Sequence, residues 1–162
     1  MKELGRQGIK ARFILTNKYS RKSIKILNTL NNKYENLRIE LVGRVEYHEL
    51  IKLHEKAWAL IFPSIWEEPL PYAVVEAMAL GTIPIASKVG GIPEILSKTP
   101  VEQFIFSPNN IEEFADRIEK LLSMSREEIT NIGIMLKDHA AKLFEKGEIE
   151  KKFLNVMESL NI

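Results

Sequence analysis

Between Trp58 and Ser87 the chain reads as strand, proline-broken loop, helix, glycine stop and strand. Trp58-Ala59-Leu60-Ile61-Phe62 is a short apolar run ended by Pro63, the pattern of a buried strand. Pro71 suits the first turn of a helix, where its missing N–H removes no intrahelical bond. Gly81 follows the last apolar residue of that helix, where a left-handed cap belongs. Thr82 to Ala86 then reads as the next strand. Few architectures accept so tight a strand–helix–strand unit, and a parallel sheet covered by helices is the main one.

Within that unit the anomaly is Glu76. The other residues from Ala73 to Leu80 are all apolar, so the helix has almost no solvent face. A carboxylate there needs donors or water, because burying an unpaired charge costs several kcal/mol, on the order of 3–5 once its partner is lacking. Glu68 lies eight positions earlier, in the loop before the helix. Helical side chains lean toward the N-terminus, which brings Glu76 toward the crevice that Glu68 borders. That crevice lies beyond a strand's carboxyl end, where open α/β sheets bind ligands. Carboxylates accept hydrogen bonds from sugar hydroxyls, and a helix N-terminus favours an anion such as a diphosphate. Alone, Glu76 reads as a dipole-supporting charge or half of an ion pair rather than as a ligand residue. Glu68, the proline-interrupted loop and the Gly81 exit together favour a ligand site.

Strands and helices alternate along the rest of the chain. Strand candidates are Ala11 to Thr16, Arg38 to Val42, Trp58 to Phe62, Ile83 to Ala86 and Gln103 to Phe106. Helix candidates run from Lys22 to Lys33, Tyr47 to Ala57, Tyr72 to Leu80 and Pro93 to Ser97, by apolar spacing of three and four. Ser107-Pro108-Asn109-Asn110 marks a boundary beyond which only helices are expected. These are Ile111 to Leu122, a helix opened by a Ser125/Glu128 capping box and reaching Leu143, and Ile149 to Leu160 with Phe153, Val156, Met157 and Leu160 on one stripe. The pattern implies a Rossmann-like, doubly wound parallel sheet in one domain spanning residues 1–162.

Composition narrows the function classes. Net charge is +1, which gives no support to nucleic acid or an anionic membrane as partner. With no cysteine, disulfides and thiol chemistry are excluded. No apolar run is long enough to span a bilayer. His48, His54 and His139 lack metal-ligand spacing, so no metal site is expected and the histidines read as surface or satisfied residues. Arg21, Lys22 and Lys25 read as a solvated helix face. Trp66, beside Glu67 and Glu68, is expected to pack the loop onto its own domain, with stacking on a base or sugar as the alternative.

Glu68 and Glu76, followed by Ala77-Met78-Ala79-Leu80-Gly81-Thr82-Ile83-Pro84-Ile85-Ala86-Ser87, resemble the Glu-x7-Glu signature of retaining group 1 glycosyltransferases. Pro63-Ser64 and Gly90-Gly91-Ile92-Pro93-Glu94-Ile95 resemble the segments that flank it. The resemblance is tight from Leu60 to Leu96 and loose from Ala11 to about Leu160. It implies the two-domain GT-B fold, with this chain as the C-terminal, donor-binding half and a helical C-terminal extension. It also implies that Glu76 meets the ribose hydroxyls of a nucleotide sugar and that Glu68 is the catalytic residue orienting the transferred sugar. The backbone of Leu70, Tyr72 and Ala73 would line the diphosphate, and Val45, after Gly43-Arg44, would touch the nucleobase. Gly90 and Gly91 would allow close backbone approach to the ligand, or form a simple turn. Here Glu68-Pro69-Leu70-Pro71 stands where the family often has Glu-Gly-Phe-Gly, which removes two backbone donors.

The family's Arg and Lys, carried on the first strand–loop–helix unit of the domain, have no counterpart here. Lys2 to Gly8 resembles the tail of that unit's helix, and Arg6 is given no catalytic role. The expectation is an N-terminally incomplete domain without its acceptor-binding partner, inactive alone. Its ligand would be a nucleoside-diphosphate sugar, UDP- or GDP-linked, with no cofactor or essential metal. A cytoplasmic location follows from the resemblance, with the full-length enzyme free to sit at the inner face of the membrane. Two other readings stay open: a separate donor-binding subunit with a partner chain, and an inactive nucleotide-binding module.

Overall fold

The structure is a computed structural model that describes residues 1–159. Its elements run α1 (Lys2–Arg6), β1 (Ala11–Thr16), α2 (Arg21–Lys33), β2 (Leu37–Gly43), α3 (Tyr47–Lys56), β3 (Ala59–Phe62), α4 (Tyr72–Leu80), β4 (Ile83–Ser87) and α5 (Ile92–Leu96). A 3-10 turn (Glu102–Phe104) leads into β5 (Ile105–Phe106), followed by α6 (Ile111–Leu122), α7 (Arg126–Leu143) and α8 (Lys146–Ser159). The α/β alternation expected from the sequence is present, and all the strand pairs are parallel.

The strands form two parallel sheets, β1-β2 and β3-β4-β5. Residues of both sheets, among them Phe13, Ile39, Ile83 and Ile85, belong to one apolar core. Every residue of β4 is buried, including Pro84. A proline in a central strand is tolerated where its missing N–H faces no ladder. The Ile83 amide bonds to Trp58 O on the β3 side, so by alternation the Pro84 nitrogen faces the other side. There β5 begins to pair only at Ala86. The outer edge of β2 is blunted by Asn31, whose Oδ1 accepts the Ile39 amide at 2.8 Å.

Helix α4 is held from several sides. Val74, Ala77 and Met78 are buried, and a fully buried Val or Met side chain stabilises by about 1.5–3 kcal/mol. Gly81 caps the helix at φ 79°. Its amide bonds to Met78 O and the Thr82 amide to Ala77 O, the paired bonds of a Schellman ending. Pro71 is the N-cap residue, one position earlier than the first turn, and offers no side-chain cap. Helix α7 packs along α4, where Gly133 lies so close that a Cβ on it would stand 2.6 Å from Gly81 O. The Ser125/Glu128 capping box forms as expected.

Several boundaries differ from expectation, most of them by one residue. The last strand is only Ile105–Phe106, because Glu102–Phe104 turns inward and buries Phe104. The short helix after the two glycines begins at Ile92, with Pro93 inside its first turn. The final helix starts at Lys146, three residues before Ile149, with a Lys146–Glu150 ion pair at 3.6 Å across its first turn. Of the stripe expected on it, Met157 is half-buried, whereas Leu160 and the side chains of Phe153 and Val156 lie outside the described residues.

Candidate functional site

The loop 63–71 leaves the carboxyl end of β3 and carries Glu68 to the N-terminus of α4. It is braced by hydroxyls. Buried Ser87, at the end of β4, donates from Oγ to Ser64 O, with Phe62 O as its longer alternative. Ser64 Oγ accepts the Trp66 amide at 3.2 Å. Its single proton is then free for Glu68 Oε1 at 3.3 Å or Trp66 O at 3.4 Å. Glu68 is half-buried, and Ser64 is its hydroxyl donor.

The next loop presses on this one from the end of β4. Gly91 N donates to Glu68 O at 3.0 Å, and Gly90 N donates to the Glu67 carboxylate at 2.5 Å. A Cβ on Gly90 would stand 2.2 Å from Glu68 O, and one on Gly91 2.2 Å from Pro69 O. Gly90 also sits at φ 51°. The sequence left these glycines between ligand approach and a simple turn. In the structure the backbone they admit is that of the Glu68–Pro69 segment. Glu67, the neighbour of Glu68, is the carboxylate that ties the two loops together.

Glu76 lies in the second turn of α4, half-buried. Tyr47, the first residue of α3, donates from its phenol to Glu76 Oε1 at 3.2 Å. Among the described residues no Lys, Arg or His pairs with Glu76 or Glu68 within 4.0 Å. The ion-pair explanation of a carboxylate on this apolar helix is therefore not what the structure contains. Tyr47 pKa is raised, chiefly by the negative charge of Glu76 and then by the hydrogen bond to it. One face further along α3, His54 is buried, and burial lowers its pKa while Glu76 pulls it the other way. His54 is thus a core histidine, and its carbonyl accepts from buried Thr82 Oγ1 at 2.7 Å.

Helix geometry leaves the amides of Tyr72 and Ala73 without an intrahelical acceptor, while Val74 N and Val75 N both reach Pro71 O. Leu70 and Tyr72 are exposed beside them. Val45 is half-buried in the turn after β2, beyond Gly43 at φ 71°. Trp66 is 74% exposed, so it does not pack the loop onto its domain as expected. Ser64, Ser87 and Gly90-Gly91 hold that loop, so the indole is not needed as its anchor. His48 is exposed beside Glu49, and among the described residues no group of three His, Cys, Asp or Glu is placed to hold a metal ion. Among the described residues no helix is long and apolar enough to cross a membrane. Sequence reading missed Tyr47, and its one signal was a spacing of seven from His54, which puts both on one face of α3.

Comparison with known proteins adds a family to this geometry. A family model described as glycosyl transferases group 1 matches residues 20–134. Spore coat protein SA of Bacillus subtilis is 28% identical over 140 residues, which are 81% of this chain and 37% of that protein. Sucrose-phosphate synthase of Thermosynechococcus elongatus superposes with a TM-score of 0.66 at 23% identity, over 92% of this chain and 38% of that one. HepE of Anabaena, solved in complex with UDP, gives 0.68 at 21% identity, over 93% and 41%. The chain thus spans about two fifths of the length of each of these three.

Proposed function

This chain belongs to the glycosyl transferases group 1, and from that premise we propose that it is the donor-binding domain of a retaining enzyme that draws on a nucleoside-diphosphate sugar. Its fold, α/β with parallel strands, is that of the C-terminal half of a GT-B glycosyltransferase. The observation that carries the proposal is Glu76, a half-buried carboxylate on an apolar helix that has a phenol as donor and, among the described residues, no cation paired with it. A carboxylate so placed keeps most of its lone pairs for hydroxyl groups brought by a ligand.

In this reading Glu76 accepts from the ribose hydroxyls. Glu68, on the braced loop, accepts from hydroxyls of the sugar and sets its orientation. The amides of Tyr72 and Ala73, with Leu70 beside them, face the diphosphate at the positive end of α4. The Val45 backbone borders the nucleobase, and Gly90 and Gly91 support the site by holding Glu68 in place. In the reaction the bond from the anomeric carbon to the diphosphate oxygen breaks, and its electron pair leaves with the diphosphate. The acceptor hydroxyl oxygen bonds to the same carbon on the same face, and its proton passes to the departing diphosphate oxygen. Charge develops on the leaving phosphate, where fixed donors stabilise it. Such donors make an essential metal unnecessary.

HepE was solved with UDP, which supports a uridine-linked donor here ahead of a guanosine-linked one. The acceptor and the remaining catalytic groups belong, in this reading, to an acceptor-binding domain of the whole enzyme, in the same chain or a partner, and the diphosphate-neutralising Arg and Lys to the first strand–loop–helix unit of the donor domain. The test is titration calorimetry of this chain with UDP, GDP and ADP, with and without attached sugars. One nucleotide should bind, and Glu76→Gln should weaken it by about ten-fold or more, the scale of a hydrogen bond to a charged group. Equal affinity in the variant would remove Glu76 from the site and the donor reading with it.

A further inference from the structure

Tyr47 is given no part by the donor reading, yet among the described residues it is the one side chain hydrogen-bonded to the proposed ribose-binding carboxylate. It opens α3 immediately after the turn that holds Gly43, Arg44 and Val45, so it stands between the loop assigned to the base and the helix assigned to the ribose. Tyr47 is 60% exposed. An exposed phenol gains little stability from a bond that water would make equally well. What the bond does is restrict Glu76, whose side chain otherwise samples several rotamers.

The choice of partner also bears on function. A lysine or arginine in that position would cancel the carboxylate's charge and fill both oxygens. A phenol occupies one lone-pair direction on Oε1 and leaves three for a ligand. A vicinal diol needs two. Two turns along the same helix face, burial lowers the pKa of His54, which disfavours a cation there.

We propose that Tyr47 is a positioning residue that fixes the Glu76 carboxylate for a vicinal diol, and thereby sets the preference for ribonucleotides over 2′-deoxyribonucleotides. This rests on the donor-binding reading above. It adds to that reading a residue and a selectivity: the phenol contributes fully to a ligand that brings both hydroxyls of the diol, and less to a 2′-deoxy ligand, which brings one.

The experiment is titration of the 162-residue chain, as parent, Tyr47→Phe and Glu76→Gln, with UDP, GDP and ADP and with the 2′-deoxy form of each. For the nucleotide that binds, Tyr47→Phe should weaken the ribo form by about 5- to 10-fold, the scale of one hydrogen bond lost at a charged group. The 2′-deoxy form, which keeps one hydroxyl for Glu76, should be weakened by about 2-fold at most, and the melting temperature should not move. Unchanged or tightened ribonucleotide binding by Tyr47→Phe would overturn the inference, and so would an equal loss for both forms. A parent that binds no nucleotide, or does not distinguish the two forms, would instead bring down the donor reading itself. The two failures are separate because one appears only in the variant and the other already in the parent.

Discussion

Tyr47 and His54 lie seven residues apart on α3, and both feel the charge of Glu76. For Tyr47 the charge raises the pKa, so the neutral phenol persists to higher pH than in an unfolded chain. Its contribution is complete below the unfolded value and is lost as pH rises through the folded one. For His54 the leading effect is burial, which lowers the pKa. That contribution is complete above the unfolded value of about 6.5 and is lost as pH falls through the folded value. Two outcomes are expected from Glu76→Gln. Absorbance titration should show one tyrosine ionising at lower pH than in the parent, and proton NMR should show the His54 pKa falling further, since the opposing charge is gone. If both titrations match the parent, Glu76 does not hold the position described. Separately, thermal unfolding followed from pH 7 to pH 5 should show stability declining with acidity, and His54→Leu should flatten that decline.

At the scale of elements, two glycine contacts look alike and should behave differently. Gly133 lets α7 approach the end of α4, and a Cβ there would stand 2.6 Å from Gly81 O. Gly133→Ala should therefore cost about 1–3 kcal/mol through overpacking, read as a lower melting temperature with nucleotide affinity unchanged. Gly90 lets the β4–α5 loop approach the loop that carries Glu68, and it also needs φ 51°. Gly90→Ala adds backbone strain to collision, about 1–2 kcal/mol for the left-handed conformation alone. Because the colliding atoms are those of Glu68, binding of the sugar-bearing nucleotide should fall as well. The diagnostic is that split, and equal affinities in both variants would detach the loop from the site. The elements themselves were readable in the sequence. β1, α4 and α6 have the expected limits, because apolar spacing, Gly81 and Asn110 mark them. The close approaches were not, since a glycine marks permission for contact and does not say which backbone will use it. Trp66 was misread for a related reason: aromatic residues are usually buried, and only the hydroxyl and glycine braces of its loop free this one.

For the whole molecule, the alternating pattern correctly gave parallel strands and an α/β fold, but strand pairing is a long-range property that periodicity leaves open. The five strands divide into β1-β2 and β3-β4-β5, and α3 runs from the first sheet to the second. The two sheets are unequally supported. β4 is buried throughout and has a partner on each side. β1 pairs only with β2, and α2, which flanks that pair, has no fully buried residue. The pair is secured mainly by the packing of Leu4, Phe13, Tyr34, Leu37 and Ile39 into the shared core and by Asn36, whose amide spans Leu4 O and Ile9 O. Gly5 belongs to the same fastening, since a Cβ on it would stand 2.5 Å from the Tyr34 ring. Local opening should follow this difference. In native-state hydrogen exchange the amides of β1 and β2 should exchange before those of β4, and Gly5→Ala should speed the first group while leaving the second near the parent rate. Nucleotide binding at Tyr47 and Glu76 should slow exchange in the first turn of α3, because the ligand would hold α3 against α4. Equal protection of β1 and β4 in the free chain, with both groups shifted together by Gly5→Ala, would mean that the two sheets open as one unit. The site would then owe its geometry to the whole core, and a lesion anywhere in that core would lower nucleotide affinity along with stability.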